Sequence, residues 1–149
     1  MADNFTRGTY SSLPGDDTDL LTPYTGPDYT DVSSDNAVRV GQSGSDGYAI
    51  HEFKVDATTG SAIVTWNGQT SIACSVSAVF LQVYNQITHL WETLDYDDTN
   101  AADSDFSLIG NIANVGDYVS GGYMACRVYQ WSSTSITFPE GWFPSGWYN

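Results

Sequence analysis

The sequence predicts an all-β protein, an antiparallel β-sandwich of the jelly-roll kind, with an extended N-terminal arm and an aromatic C-terminal tail. Three observations predict it: roughly eight short runs of β-branched and aromatic residues recur at regular spacing, no run carries the three-to-four spacing of an amphipathic helix, and there is no β-α alternation. Composition divides the chain into residues 1–35, the arm, residues 36–140, the sandwich, and residues 141–149, the tail.

Residues 1–35 are dominated by Ser, Thr, Asp, Pro and Gly, with Leu13, Leu20, Leu21, Tyr24 and Tyr29 spaced among Pro14, Pro23 and Pro27. No period of two or 3.6 survives there, yet flexible tails are usually poorer in apolar side chains. The spacing fits an extended arm lying on its own domain or on a neighbouring subunit, with a plain disordered tail as the alternative. Residues 37–40 read as a short strand and residues 41–47, G-Q-S-G-S-D-G, as a turn-rich loop. Residues 48–55, Y-A-I-H-E-F-K-V, read as a second strand whose phase slips at His51 and Glu52, the mark of a β-bulge or of burial on both faces. Residues 62–66 form a third, ended by the turn signal Trp66-Asn67-Gly68.

Residues 74–94 hold the longest stretch able to be buried on both sides. Cys74, Val76, Ala78 and Phe80 share one face and Val79, Leu81 and Val83 the other; Asn85 and Gln86 interrupt, and Leu90, Trp91 and Leu94 resume, which predicts a hairpin at the centre of the fold. Residues 95–105 are an acidic loop and residues 106–112 a strand. In residues 123–131, Met124, Cys126 and Val128 face one way while Tyr123, Arg127, Tyr129 and Trp131 face the other; residues 135–138 supply a last strand.

The chain has 149 residues and a net charge of −14, with four basic residues against eighteen acidic ones. A domain of this size buries a real core. Its charge repels phosphate, which argues against nucleic acid and anionic lipid and favours basic surfaces or cations. The N-terminus lacks an apolar signal region and no apolar run is long enough to span a membrane, so the expectation is a protein made in a cytoplasm and not secreted. Cys74 and Cys126 are expected as reduced core thiols.

The order of motifs resembles a family of galactose-binding-like jelly-roll domains of tailed-bacteriophage virion proteins. It rests on G-Y-A-I-H-E-F-K-V from Gly47, I-V-T-W-N-G from Ile63, V-F-L-Q-V-Y-N from Val79, W-E-T-L from Trp91 and D-Y-V-S-G-G-Y-M-A-C-R-V-Y-Q from Asp117, spanning roughly residues 47 to 130. The resemblance implies a structural virion protein. A capsid decoration or cement protein comes first, bound to the major capsid protein or other virion proteins and forming homo-oligomers. Tail, receptor-binding and sugar-binding roles are its alternatives.

Candidate site residues follow from chemistry. Leu13, Leu20, Leu21, Tyr24 and Tyr29 of the arm, with Trp142, Phe143 and Trp147 of the tail, are apolar side chains seeking cover and are expected at a partner contact. Tyr123, Arg127, Tyr129 and Trp131 are a candidate glycan or interface face, since Tyr and Trp stack on sugars or anchor interfaces and Arg127 can pair with a carboxylate. Asp95, Asp97, Asp98, Asp103 and Asp105 could offer oxygen ligands to calcium, although Asn100 and Phe106 stand where an EF-hand needs glycine and glutamate. No other cofactor is expected. Catalysis is not expected either: His51 and His89 are the two histidines, no G-x-S-x-G or H-E-x-x-H occurs, and nothing selects one carboxylate pair for glycoside hydrolysis.

Overall fold

The structure is a computed structural model that describes residues 4–33, 38–57 and 59–133 and the backbone of 136–137 and 140–142. In chain order its elements are β1 (Asn4–Tyr10), β2 (Thr22–Pro23), α1 (Gly26–Val32), β3 (Ser43–Gly44), β4 (Gly47–Asp56), β5 (Ala62–Gln69), β6 (Val79–Asn85), β7 (Leu90–Asp97), β8 (Phe106–Ile112), the 3-10 turn η1 (Val115–Tyr118), β9 (Val119–Ser120), β10 (Tyr123–Ser132), β11 (Ile136–Thr137) and β12 (Glu140–Trp142). A large antiparallel sheet runs β2-β1-β4-β10-β6-β7, with β9 attached to β10, and a smaller one runs β12-β5-β8; β3 pairs with β11. The two main sheets pack as the expected antiparallel sandwich.

Strand periodicity explains the packing. In β5, Ala62, Val64 and Trp66 are buried while Ile63 faces out, and in β8, Leu108 and Ile112 are buried while Ile109 faces out. That alternation marks a sheet with one wet face. The dry face meets Phe53 and Val55 of β4, Cys126 and Val128 of β10 and Val79, Leu81 and Val83 of β6 in one continuous core. Strands β4 and β10 are buried along most of their length because the middle of the large sheet is covered on both sides. The phase slip at His51 and Glu52 therefore records two-sided burial; the pairing of β4 with β1 and β10 runs through both residues without a shift.

Several sequence expectations change. Residues 4–33 are part of the sandwich. Phe5, Leu20, Tyr24 and Val32 are buried there, and β1 pairs with β4 over seven residues. Arg7 and Gly8 hide the alternation of β1 from a reading of apolar residues alone. Helix α1 is too short to show a helical period, but it carries a local signature: Thr25 accepts from the Asp28 N–H and Asp28 accepts from the Thr25 N–H, with Pro27 in the first turn. Strand β5 runs through Trp66-Asn67-Gly68 to Gln69 and does not turn there, because β8 and β12 pair with it on either side. Residues 73–77 form a turn and not a strand; Cys74 points inward from it while Val76 is exposed. The β6–β7 hairpin forms with its break after Asn85, whose side-chain oxygen accepts from the Ile87 and Thr88 N–H groups. It flanks the centre and does not form it, since β4 and β10 lie mid-sheet. Val40 makes an isolated bridge in place of a strand over 37–40, and Ala37 lies outside the described residues. The strand expected over 135–138 is β11, Ile136–Thr137, and a further strand, β12, follows it, so it is not the last.

Candidate functional site

The outer face of the large sheet, turned away from the core, is ordered by register into three rows. Thr6, Glu52, Arg127, Gln82 and Thr93 stand opposite one another across β1, β4, β10, β6 and β7. Two residues along the strands, Gly8, Ile50, Tyr129, Phe80 and Tyr96 form a second row, and beyond it Tyr10, Tyr48 and Trp131 a third. The first row is polar and the next two are aromatic and aliphatic.

Residues 11–21, which link β1 to β2, cross this face as a strap. At one side the Arg127 Nη1 donates to the Pro14 carbonyl at 2.8 Å and the Trp91 Nε1 to the Asp16 carbonyl at 3.2 Å. At the other the Leu20 N–H donates to the Thr6 hydroxyl at 2.9 Å, and the Lys54 Nζ to Asp19 at 2.7 Å. Lys54 beside Asp19 holds its carboxyl below the usual carboxylate range. Leu20 packs on Ile50 and Tyr129, with Leu13, Tyr10, Tyr48 and Phe80 around them.

Beneath the strap lie two buried ionisable groups. Glu52 is 2% exposed and neither carboxyl oxygen has a hydrogen-bond partner; burial pushes its pKa up to about 9. The Arg127 guanidinium donates to Gln82 at 2.9 Å and to Pro14, and sits 4.1 Å from the centre of the Trp91 ring. Its hydrogen bonds thus go to neutral oxygens where the sequence suggested a carboxylate, and burial lowers its pKa to about 10.

The aromatic rows remain partly open. Tyr96, Phe80 and Tyr129 stack in succession, with centroids 5.8 and 5.2 Å apart, and Tyr48 meets Tyr129 edge-on at 5.7 Å. Tyr96 is 55% exposed and Trp131 43%. Tyr96, Phe80 and Tyr129, stacked across strands, turn ring faces on one another. That arrangement suits protein contact better than a pyranose, which needs an open ring face.

The predicted face is therefore split along β10. Tyr129 and Trp131 belong to the aromatic rows, Arg127 lies under the strap, and Tyr123 stands opposite Asp56 at the far end, about 27 Å from Trp131. Ile50, Tyr48, Phe80 and Tyr96 were missed, because only strand register brings them beside Tyr129. Of the arm residues, Leu20 and Tyr24 are buried within this chain, which leaves no surface for a partner to cover. Tyr29 packs against the core and its hydroxyl accepts from the Phe5 N–H at 2.8 Å. Leu13 is half-buried in the strap cluster, and Leu21 is exposed. In the tail, the backbone of Trp142 pairs with Asn67, so regular structure reaches further than the glycines and prolines suggested; Phe143 and Trp147 lie outside the described residues.

The five aspartates are dispersed. Asp95 accepts from the Ile109 N–H, Asp97 from the Thr99 and Asn100 N–H groups, and Asp105 pairs with Arg39. Asp98 and Asp103 point into solvent, and among the described residues no three metal-ligating side chains converge. His51 lies in the core bonded to the Tyr24 hydroxyl, while His89 sits in the β6–β7 turn at positive φ. Cys74 and Cys126 are free and buried.

All four basic side chains are engaged within the chain: Arg7 donates to Gln42, Arg39 to Asn67 and Asp105, Lys54 to Asp19, and Arg127 to Gln82 and Pro14. The exterior offered to a partner is acidic, with Tyr96 and Trp131 exposed alongside aliphatic side chains such as Leu21, Val76, Ile87 and Leu90. Family models, curated sequences and solved structures give no match to this chain.

Proposed function

We propose that this is a non-catalytic structural protein of a virion, a decoration or cement protein of a tailed bacteriophage, which docks on the shell through the aromatic rows around Trp131 and Tyr96. The carrying observation is that stacked run of Tyr96, Phe80 and Tyr129 beside an exposed Trp131, on a surface whose cations are all engaged internally. Aromatic anchors supply interface energy, and a net charge of −14 steers the protein toward basic patches. The motif resemblance supports the virion setting and the jelly-roll form of the sandwich. Docking by a face replaces attachment through residues 4–33, which are occupied in the domain's own fold. Self-association through residues 143–149 remains part of the proposal.

A carbohydrate-binding or receptor-binding module is the second reading, and Trp131 favours it as an exposed indole at the end of the row. The two readings separate in a paired assay of purified protein on purified tailed-phage capsids and on a glycan array. Capsid binding that weakens in Trp131→Ala, with silence on the array, supports docking. Array binding lost in the same variant, with no capsid binding, supports the glycan reading and overturns the first.

A further inference from the structure

We propose that residues 11–21 are a lid that opens without unfolding the sandwich, and that the buried carboxyl of Glu52 is the group that releases it. The proposal concerns the strap alone and holds whatever the protein docks on.

The strap is weakly built. Pairing of β1 ends at Tyr10 and β2 begins at Thr22, so the intervening residues are held by side-chain hydrogen bonds from the sheet and from Gln86 in the β6–β7 turn, and by one buried residue, Leu20. Segments with few buried apolar contacts open at far lower free energy than core strands. Strand β10 below it is paired on both sides and buried along most of its length.

Its course fixes what opening would uncover. The strap is tethered to Arg127 on β10 through Pro14 and to Thr6 on β1 through Leu20. Glu52 lies between these two anchors in the same register row. A carboxyl with no partner for either oxygen is tolerable there only while uncharged, and burial keeps it so at neutral pH.

The groups acting on Glu52 pull both ways once it ionises, but burial, the largest effect, sets the balance toward opening. Arg127 on β10 and Lys54 on its own strand attract its charge, but in the closed form Arg127 donates to Gln82 and Pro14, and Lys54 to Asp19. Asp17 and Asp19, both on the strap, repel it. The Cys126 thiol of β10, held uncharged by burial, adds no opposing charge. Opening hydrates the carboxylate, frees both cations to face it and removes the two repelling aspartates. It also bares Ile50 and Tyr129, which Leu20 covers, and so enlarges the apolar face.

Amide hydrogen exchange from pH 6 to 9, corrected for intrinsic base catalysis, tests this on the full chain. The opening constant of residues 11–21 should rise about tenfold per pH unit, roughly a hundredfold between pH 6 and 8, while β10 stays protected. Glu52→Gln should flatten the profile, and Leu20→Ala should raise opening at every pH without changing its slope. A flat wild-type profile, or protection lost from β10 in step with the strap, overturns the proposal. The wild-type profile decides this alone if either variant fails to fold.

Discussion

Glu52 and Arg127 stand directly opposite each other on neighbouring strands, yet no hydrogen bond joins them: the guanidinium donates to Gln82 and Pro14, and the carboxyl oxygens are left without partners. Opposed charges in a buried row usually pair, because the desolvation cost is otherwise unrecovered. Here the cost falls on the proton equilibrium of Glu52.

Stability should therefore fall with rising pH through this one group. The folded pKa of about 9 lies above the unfolded reference of 4.5, so the folded state holds the proton more tightly. The Glu52 contribution is fully present below about pH 4.5 and is lost as pH climbs toward 9, at about 1.4 kcal/mol per unit. Glu52→Gln removes the dependence and should raise stability at pH 7 by up to about 3 kcal/mol, with strap opening setting the ceiling. Denaturant titrations at pH 5 and pH 8 check it; variant and wild type should nearly coincide at the first and separate at the second.

A second contact closes the sandwich at its edge. The β6–β7 register slips between Leu81 and Gln82, leaving Leu94 as the extra residue, and Leu94 meets β8 at Gly110. A Cβ added to Gly110 would lie 2.5 Å from the Leu94 Cβ. Gly110→Ala should cost about 1 to 3 kcal/mol, as overpacking does. Adding Leu94→Ala should not rescue it, because alanine keeps the offending Cβ; thermal melts of the single and double variants measure both.

The thiols should be inert in the native state. Burial pushes the Cys126 pKa up to about 12, and burial with Asp97 nearby pushes that of Cys74 up to about 11. At pH 8 an aromatic disulfide reagent should titrate no thiol in folded protein and two after denaturation. Fast native reaction would show that the turn at 73–77 opens.

The sandwich is legible in the sequence where side chains alternate strongly. Tyr123, Met124, Cys126 and Val128 announce β10, and the Asn85-Gln86 break announces the β6–β7 hairpin. What lies within 4–33 is hidden because its strands are interrupted by Arg7 and Gly8 or are only two residues long, and its helix is specified by a capping box and not by periodicity. Tyr129 and Trp131 are found as surface aromatics, but their partners come from β4, β6 and β7, at sequence distances no local pattern spans. The strap over Arg127 is invisible for the same reason: a proline carbonyl 113 residues away satisfies the guanidinium.

The exposed aromatics should matter for binding and little for folding. Trp131→Ala and Tyr96→Ala each remove a side chain more than a third exposed, so stability should shift by less than about 1 kcal/mol, unlike Trp66→Ala in the core at about 3 to 5 kcal/mol. Urea unfolding of the three variants separates surface from core.

Co-sedimentation of the Tyr96→Ala, Trp131→Ala double variant with purified tailed-phage capsids, titrated beside wild type, tests the docking face most directly. Wild type should bind saturably, and the folded double variant should bind at least a hundredfold more weakly, as expected when two interface anchors are removed. Equal binding by the two, or no saturable binding by wild type, would contradict docking through this face.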